Sequence, residues 1–173
     1  MSREEQAWLL CFLRARMEGM VRHKPSRLPP LREIPEVWRR AGGVFVTLEV
    51  AHRVRGCSGS LYPRLPQRWQ EAQRALERAL HDPRYRPIRL QELSLVRISV
   101  TVVLAIEPIE HIGQLGGAEY GLVLRTQDGH EGVVLPYEGR LPGERLRWAY
   151  RKAGVAQSRP AQLYRLRAER FSE

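Results

Sequence analysis

Asparagine is absent from this sequence, and only Lys24 and Lys152 among its 29 basic residues are lysines. Its positive charge is therefore carried by arginine. An arginine-rich, asparagine-free composition fits a GC-rich genome and a thermophile-like protein, since asparagine is thermolabile. Cysteine is scarce as well. Cys11 and Cys57 stand far apart, which excludes a disulfide framework and fits a reducing, cytoplasmic setting. No long apolar run is present. The stretch from Ile98 to Ile106 is interrupted by Ser99 and Thr101 and is too short to span a bilayer, so no membrane partner is expected. The N-terminal residues Ser2-Arg3-Glu4-Glu5 lack the positive opening of a signal peptide. Also missing are Cys-x-x-Cys, His-Glu-x-x-His and the glycine-rich phosphate loop that ends in Gly-Lys-Ser/Thr, so neither a metal nor a nucleotide cofactor is expected.

What is present fits one domain. A chain of 173 residues, 43% hydrophobic and 28% charged, buries a core without staples. The net charge of +10 implies attraction to polyanions without naming one.

Ser2 and Glu5 form a capping-box pattern. Trp8, Leu9, Phe12, Leu13, Met17 and Met20 then recur at helical spacing, which predicts a helix over 3–21 with its apolar face in the core. Residues 22–35, with Pro25, Pro29, Pro30 and Pro35, read as an irregular surface segment. Val44, Val46, Leu48 and Val50 alternate as a strand, and a turn at Ala51-His52 lets Arg53-Val54-Arg55 pair back. A second helix is expected over 67–81, stopped at His81-Asp82-Pro83. Residues 84–94 read as a polar connection. Val96 to Leu104 form the most regular strand pattern, with Pro108 expected to end it, and a helical turn is expected within 109–115. Leu122–Thr126 and Glu131–Leu135 read as a hairpin around Asp128-Gly129. A helix over 143–153 is closed by Gly154, and a strand follows around Leu163-Tyr164-Leu166. Helices mixed with hairpin-connected strands predict an α+β fold, an antiparallel sheet flanked by helices.

Gly43-Val44-Phe45-Val46-Thr47-Leu48, followed by Val54-Arg55-Gly56-Cys57-Ser58-Gly59-Ser60-Leu61, resembles the signature region of the AMMECR-type family, which includes protein A of the bacterial and archaeal AmmeMemoRadiSam system. That motif reads Leu-Arg-Gly-Cys-Ile-Gly, with Val54 and Ser58 as the departures here. Asp82-Pro83-Arg84-Tyr85, Ile98-Ser99-Val100, Glu107-Pro108-Ile109, Gly121-Leu122-Val123-Leu124, Leu135-Pro136 and Lys152-Ala153-Gly154-Val155 match family segments in order. Tyr137-Glu138-Gly139 departs from the Gln-Val and longer helical stretch that the family places after Leu-Pro. The resemblance implies an α+β domain over residues 1–173, with two subdomains and a cleft near the cysteine motif. The family's association with radical-SAM and Memo-like proteins implies a part in modifying a macromolecule or metabolite.

The residues themselves leave two readings of Arg55-Gly56-Cys57-Ser58-Gly59, taken here as a glycine-rich turn. In one, Cys57 is a thiolate nucleophile or contact residue facing a substrate. Arg55 then tunes the thiol or binds an anion, and Gly56, Cys57, Ser58 and Gly59 offer successive N–H groups as an anion nest. In the other, Cys57 is a small buried residue. Asp82 and Arg84 either pair at a helix stop or place Arg84 near the cysteine to bind an anionic group. His52 is read as a turn histidine rather than a base, and His81 as a helix-end residue. Cys11, within a core-type helix, receives no role. The alternative to a modification protein is an RNA- or protein-binding adaptor, in which Trp38, Trp69 and Tyr85 beside arginines stack on bases.

Overall fold

The computed structural model describes residues 1–24 and 27–173. Pro25 lies outside the described residues. The chain divides into two compact units: Met1–Val102 with Arg170–Glu173, and Val103–Glu169. Its strands are β1 (Val44–Val50), β2 (Arg53–Ser60) and β3 (Val96–Ile109), which run in the order β2-β1-β3, and β4 (Tyr120–Thr126), β5 (Glu131–Val134) and β6 (Ala161–Ser172), which run in the order β6-β4-β5. The α+β class read from the sequence is what the structure shows.

In the first unit, α1 spans Arg3–Val21 and opens on the expected capping box. The Ser2 N–H donates to Glu5 Oε2 at 2.7 Å, and the Glu5 N–H donates to Ser2 Oγ at 3.1 Å. Leu9, Leu10, Leu13 and Met17 face inward. Each such side chain contributes roughly 2 kcal/mol of burial energy. Cys11 lies on the other side of α1 and is exposed. The short α2 (Glu36–Arg39) seats Trp38 in the core, where its indole N–H donates to the Glu5 carbonyl at 2.7 Å. β1 (Val44–Val50) and β2 (Arg53–Ser60) form the predicted hairpin, and β1 also pairs antiparallel with β3 (Val96–Ile109). Both turn residues, Ala51 and His52, have positive φ, at 49° and 62°.

α3 (Arg68–Leu80) lays Trp69, Ala72, Ala75, Leu76 and Ala79 against β1 and β2. The three alanines allow close approach, and Gly56 completes it. A Cβ at position 56 would stand 2.0 Å from the Ala79 carbonyl oxygen. β3 does not end before Pro108 but runs to Ile109. Extended backbone suits proline's fixed φ, so only a donated hydrogen bond is lost there. The connection between α3 and β3 is not wholly irregular, since Leu90–Leu95 winds into a tight helix.

In the second unit β4 (Tyr120–Thr126) pairs antiparallel with β5 (Glu131–Val134) and with β6 (Ala161–Ser172). The helical turn expected before β4 occupies Ile112–Gln114. α4 (Pro142–Ala153) ends at Gly154 in the left-handed conformation, as read from the sequence. Leu115, Leu122, Leu124, Val134, Ala149 and Ala153 form this unit's core. Gly132 repeats the device of Gly56, because a Cβ there would lie 1.9 Å from the Ala149 carbonyl oxygen. Arg145 is almost fully buried and donates to the carbonyls of Glu138 (3.0 Å), Gly117 (3.2 Å) and Ala118 (2.9 Å). One guanidinium thus organises the loop where the chain departs from the family pattern.

Candidate functional site around Cys57

The segment Arg55–Gly59 is not a turn. It is the middle of β2, which stands at the end of the strand order. Gly56 and Gly59 are there for close packing rather than for a bend: neither has positive φ, and a Cβ at Gly59 would meet the Val44 carbonyl oxygen at 2.4 Å. Along an extended strand successive N–H groups alternate in direction, so Gly56-Cys57-Ser58-Gly59 does not converge on an anion as a nest does.

A bulge decides which way Cys57 faces. Val50 pairs with Arg53 and Glu49 with Val54, but Leu48 pairs with Gly56, leaving Arg55 as the extra residue. The shift places Cys57 opposite Thr47. An unshifted hairpin would have put it opposite Val46, on the buried face. A one-residue slip reverses the face of every following side chain, and here it moves the thiol off the core side. Thr47 Oγ1 contacts Cys57 Sγ at 3.3 Å, and Cys57 is half-buried. Ser58 faces the other way, in a notch of about 10 Å³ shared with Arg64, Arg74 and Arg78. That space holds about one water, so Ser58 and Cys57 do not share a site.

The open edge of β2 at Cys57 is met by Asp82 and Arg84. The Cys57 N–H donates to Asp82 Oδ2 at 3.1 Å, and Arg84 Nη2 donates to the Cys57 carbonyl at 3.2 Å. The Asp82 carboxylate also receives the Arg84 N–H at 3.1 Å, Nε at 2.9 Å and Nη2 at 2.7 Å. The two side chains supply the donor and acceptor that a neighbouring strand would supply. Arg84, above all, holds the Asp82 carboxyl down at about 2, with the N–H groups of Cys57 and Arg84 adding to it against the cost of burial. The reciprocal bond to Asp82 raises Arg84 above the usual arginine value. The Asp82 side chain is 5% exposed and that of Arg84 60% exposed, so the pair is anchored inside and open outside. Tyr85 stacks under the guanidinium, 5.4 Å from its ring centre.

Arg55 does not turn to the thiol. Its Nη1 donates to Glu92 Oε1 at 2.6 Å, and its Nη2 reaches Glu92 Oε2 and the carbonyls of Arg86 and Pro87 at 3.2–3.3 Å. This bond lowers Glu92 to about 2, with the Arg89 N–H contributing next. The bulge explains the redirection, since an extra residue re-aims its own side chain. His52 is exposed at the hairpin tip, and His81 Nδ1 lies 2.8 Å from the Glu77 carbonyl at the end of α3. Among the described residues, no three His, Cys, Asp or Glu side chains are grouped to hold a metal ion. Among the described residues, no helix is long and apolar enough to cross a membrane. Sequence reading missed Thr47 and Glu92. Counting the hairpin from Ala51-His52 gives Thr47 only if the bulge is known.

The AMMECR1 family model matches residues 10–173. The chain belongs to the AMMECR1 family. Within that family it is 31% identical over 150 residues to a protein of Thermotoga maritima, covering 83% of this chain and 86% of that one. A protein of Thermofilum pendens is 30% identical, with 100% and 92% covered. A Methanocella arvoryzae protein is 34% identical over 111 residues, and there the match spans only 56% of the relative's length. The crystal structure of an uncharacterised protein from Pyrococcus horikoshii superposes with a TM-score of 0.88 at 24% identity, covering 100% of this chain and 93% of that one. That likeness carries the fold. The AMMECR1 signature thus has a structural meaning here: Gly56 admits α3, Cys57 is clamped through its backbone, and Asp82-Pro83-Arg84 supplies the clamp.

Proposed function

We propose that the β2 segment around Cys57 is the centre of a substrate site, and that this AMMECR1 protein acts in the modification of a macromolecule or metabolite. The observation that carries the reading is Arg84. Its guanidinium is fixed by buried Asp82 at the Cys57 peptide, yet most of its side chain is open to solvent. A cation held in place beside a thiol favours the thiolate and attracts an anionic group. Cys57 is then the thiol that contacts or attacks the substrate, and Arg84 binds its anionic part. Asp82 fixes Arg84, while Gly56 and Gly59 set the strand and Arg55 braces it against Glu92.

The adaptor reading for RNA is less well supported. Trp38 and Trp69 are 0% and 8% exposed, so neither offers a ring for a base to stack on. The test is the alkylation rate of Cys57 in a Cys11→Ser background, where the exposed second thiol does not interfere. A rate above that of a cysteine in an unfolded peptide supports the site. An inert thiol removes it.

A further inference from the structure

Beside the Cys57 segment, the bulge at Arg55 opens onto a depression of about 450 Å³ lined by Arg55, Arg86, Pro87, Arg89, Gln91 and Glu92. Three guanidiniums face one carboxylate. That carboxylate is already taken by Arg55 and by the Arg89 N–H at 2.9 Å. Arg86 and Arg89 are exposed, and among the described residues neither forms an ion pair with a carboxylate side chain. Arg55 is held in place by four hydrogen bonds. The lining carries two net positive charges, the opposite of a phosphate monoester near neutral pH. Its volume falls in the range of small-molecule sites.

We propose that this depression binds the phosphate group of a small phosphorylated molecule, with Arg86 and Arg89 as its principal donors and Arg55 as the fixed base of the site. Arginine suits this role because its planar fork matches two phosphate oxygens at once. The site does not require Cys57 to be reactive.

Titration calorimetry at fixed ionic strength tests it, with inorganic phosphate and ribose 5-phosphate as separate probes. Four proteins are compared: wild type, Arg86→Gln/Arg89→Gln, Cys57→Ala, and a control of equal charge change, Arg39→Gln/Arg147→Gln. The expected result is saturable binding to wild type, the control and Cys57→Ala, weakened roughly tenfold or more in the Arg86/Arg89 variant. Tighter binding of ribose 5-phosphate than of phosphate identifies an ester as the ligand, and equal binding identifies the free ion. Absence of binding to wild type, or equal weakening in the control, overturns the proposal. Because Cys57→Ala retains binding, failure here and failure of the thiol reading are told apart.

Discussion

Asp82 accepts the main-chain N–H of Cys57 at 3.1 Å, so a buried carboxylate closes the strand edge at the residue that carries the thiol. Arg84 completes the closure through the Cys57 carbonyl. The backbone is held rigid while the side chain stays on the partly open face.

This arrangement makes stability depend on the ionisation of Asp82. Its folded value is about 2 against an ordinary 3.8, so its contribution is fully present above about pH 4 and is lost as pH falls through about 2. The shift corresponds to about 2 kcal/mol. Urea unfolding at pH 6 should show Asp82→Asn less stable than wild type by about that amount. Repeated near pH 2, the gap should shrink.

Gly56 has no room for a methyl group, because the obstacle is the Ala79 carbonyl and not a movable side chain. Gly56→Ala is expected to cost about 3 kcal/mol, seen as a lower urea midpoint. Ser58→Ala, one strand position from the thiol, should cost much less.

The hairpin tip should respond in the opposite direction. Ala51 and His52 occupy left-handed backbone that favours asparagine and glycine. Ala51→Asn/His52→Gly should stabilise the protein by about 1 kcal/mol, measured by the same unfolding experiment.

In the second unit, Arg145→Met leaves the carbonyls of Glu138, Gly117 and Ala118 without their donor. Burial lowers the pKa of Arg145, but those three acceptors keep the guanidinium in place. The substitution should cost about 3 kcal/mol and lower the thermal midpoint.

Most of this fold was legible because its elements announce themselves. The Ser2–Glu5 box, the alternation from Val44 to Val50, the helix stop at Asp82-Pro83 and the Gly154 cap are local signals, and each stands where expected. The candidate site was legible only in its residues. Two glycines around Cys57 suggested a turn, but their reason is the approach of α3 and β1, a tertiary fact without a local signature. The face of Cys57 depends on a bulge at Arg55, which no periodicity reveals. Trp38 and Trp69 lie close to arginines in sequence, yet burial of a large ring outweighs that proximity. Pro108 misled in the other direction, since a strand tolerates proline where no donor is needed.

In the proposed site, Arg84 makes the surroundings of Cys57 cationic. The most direct measurement is the ratio of alkylation rates at Cys57 for iodoacetate, which is charged, and iodoacetamide, which is neutral, in the Cys11→Ser background. The expected ratio favours iodoacetate relative to an unfolded peptide and falls roughly fivefold in Arg84→Gln, as for losing one charge at close range. An equal ratio in both proteins, or a thiol that neither reagent reaches, would contradict it.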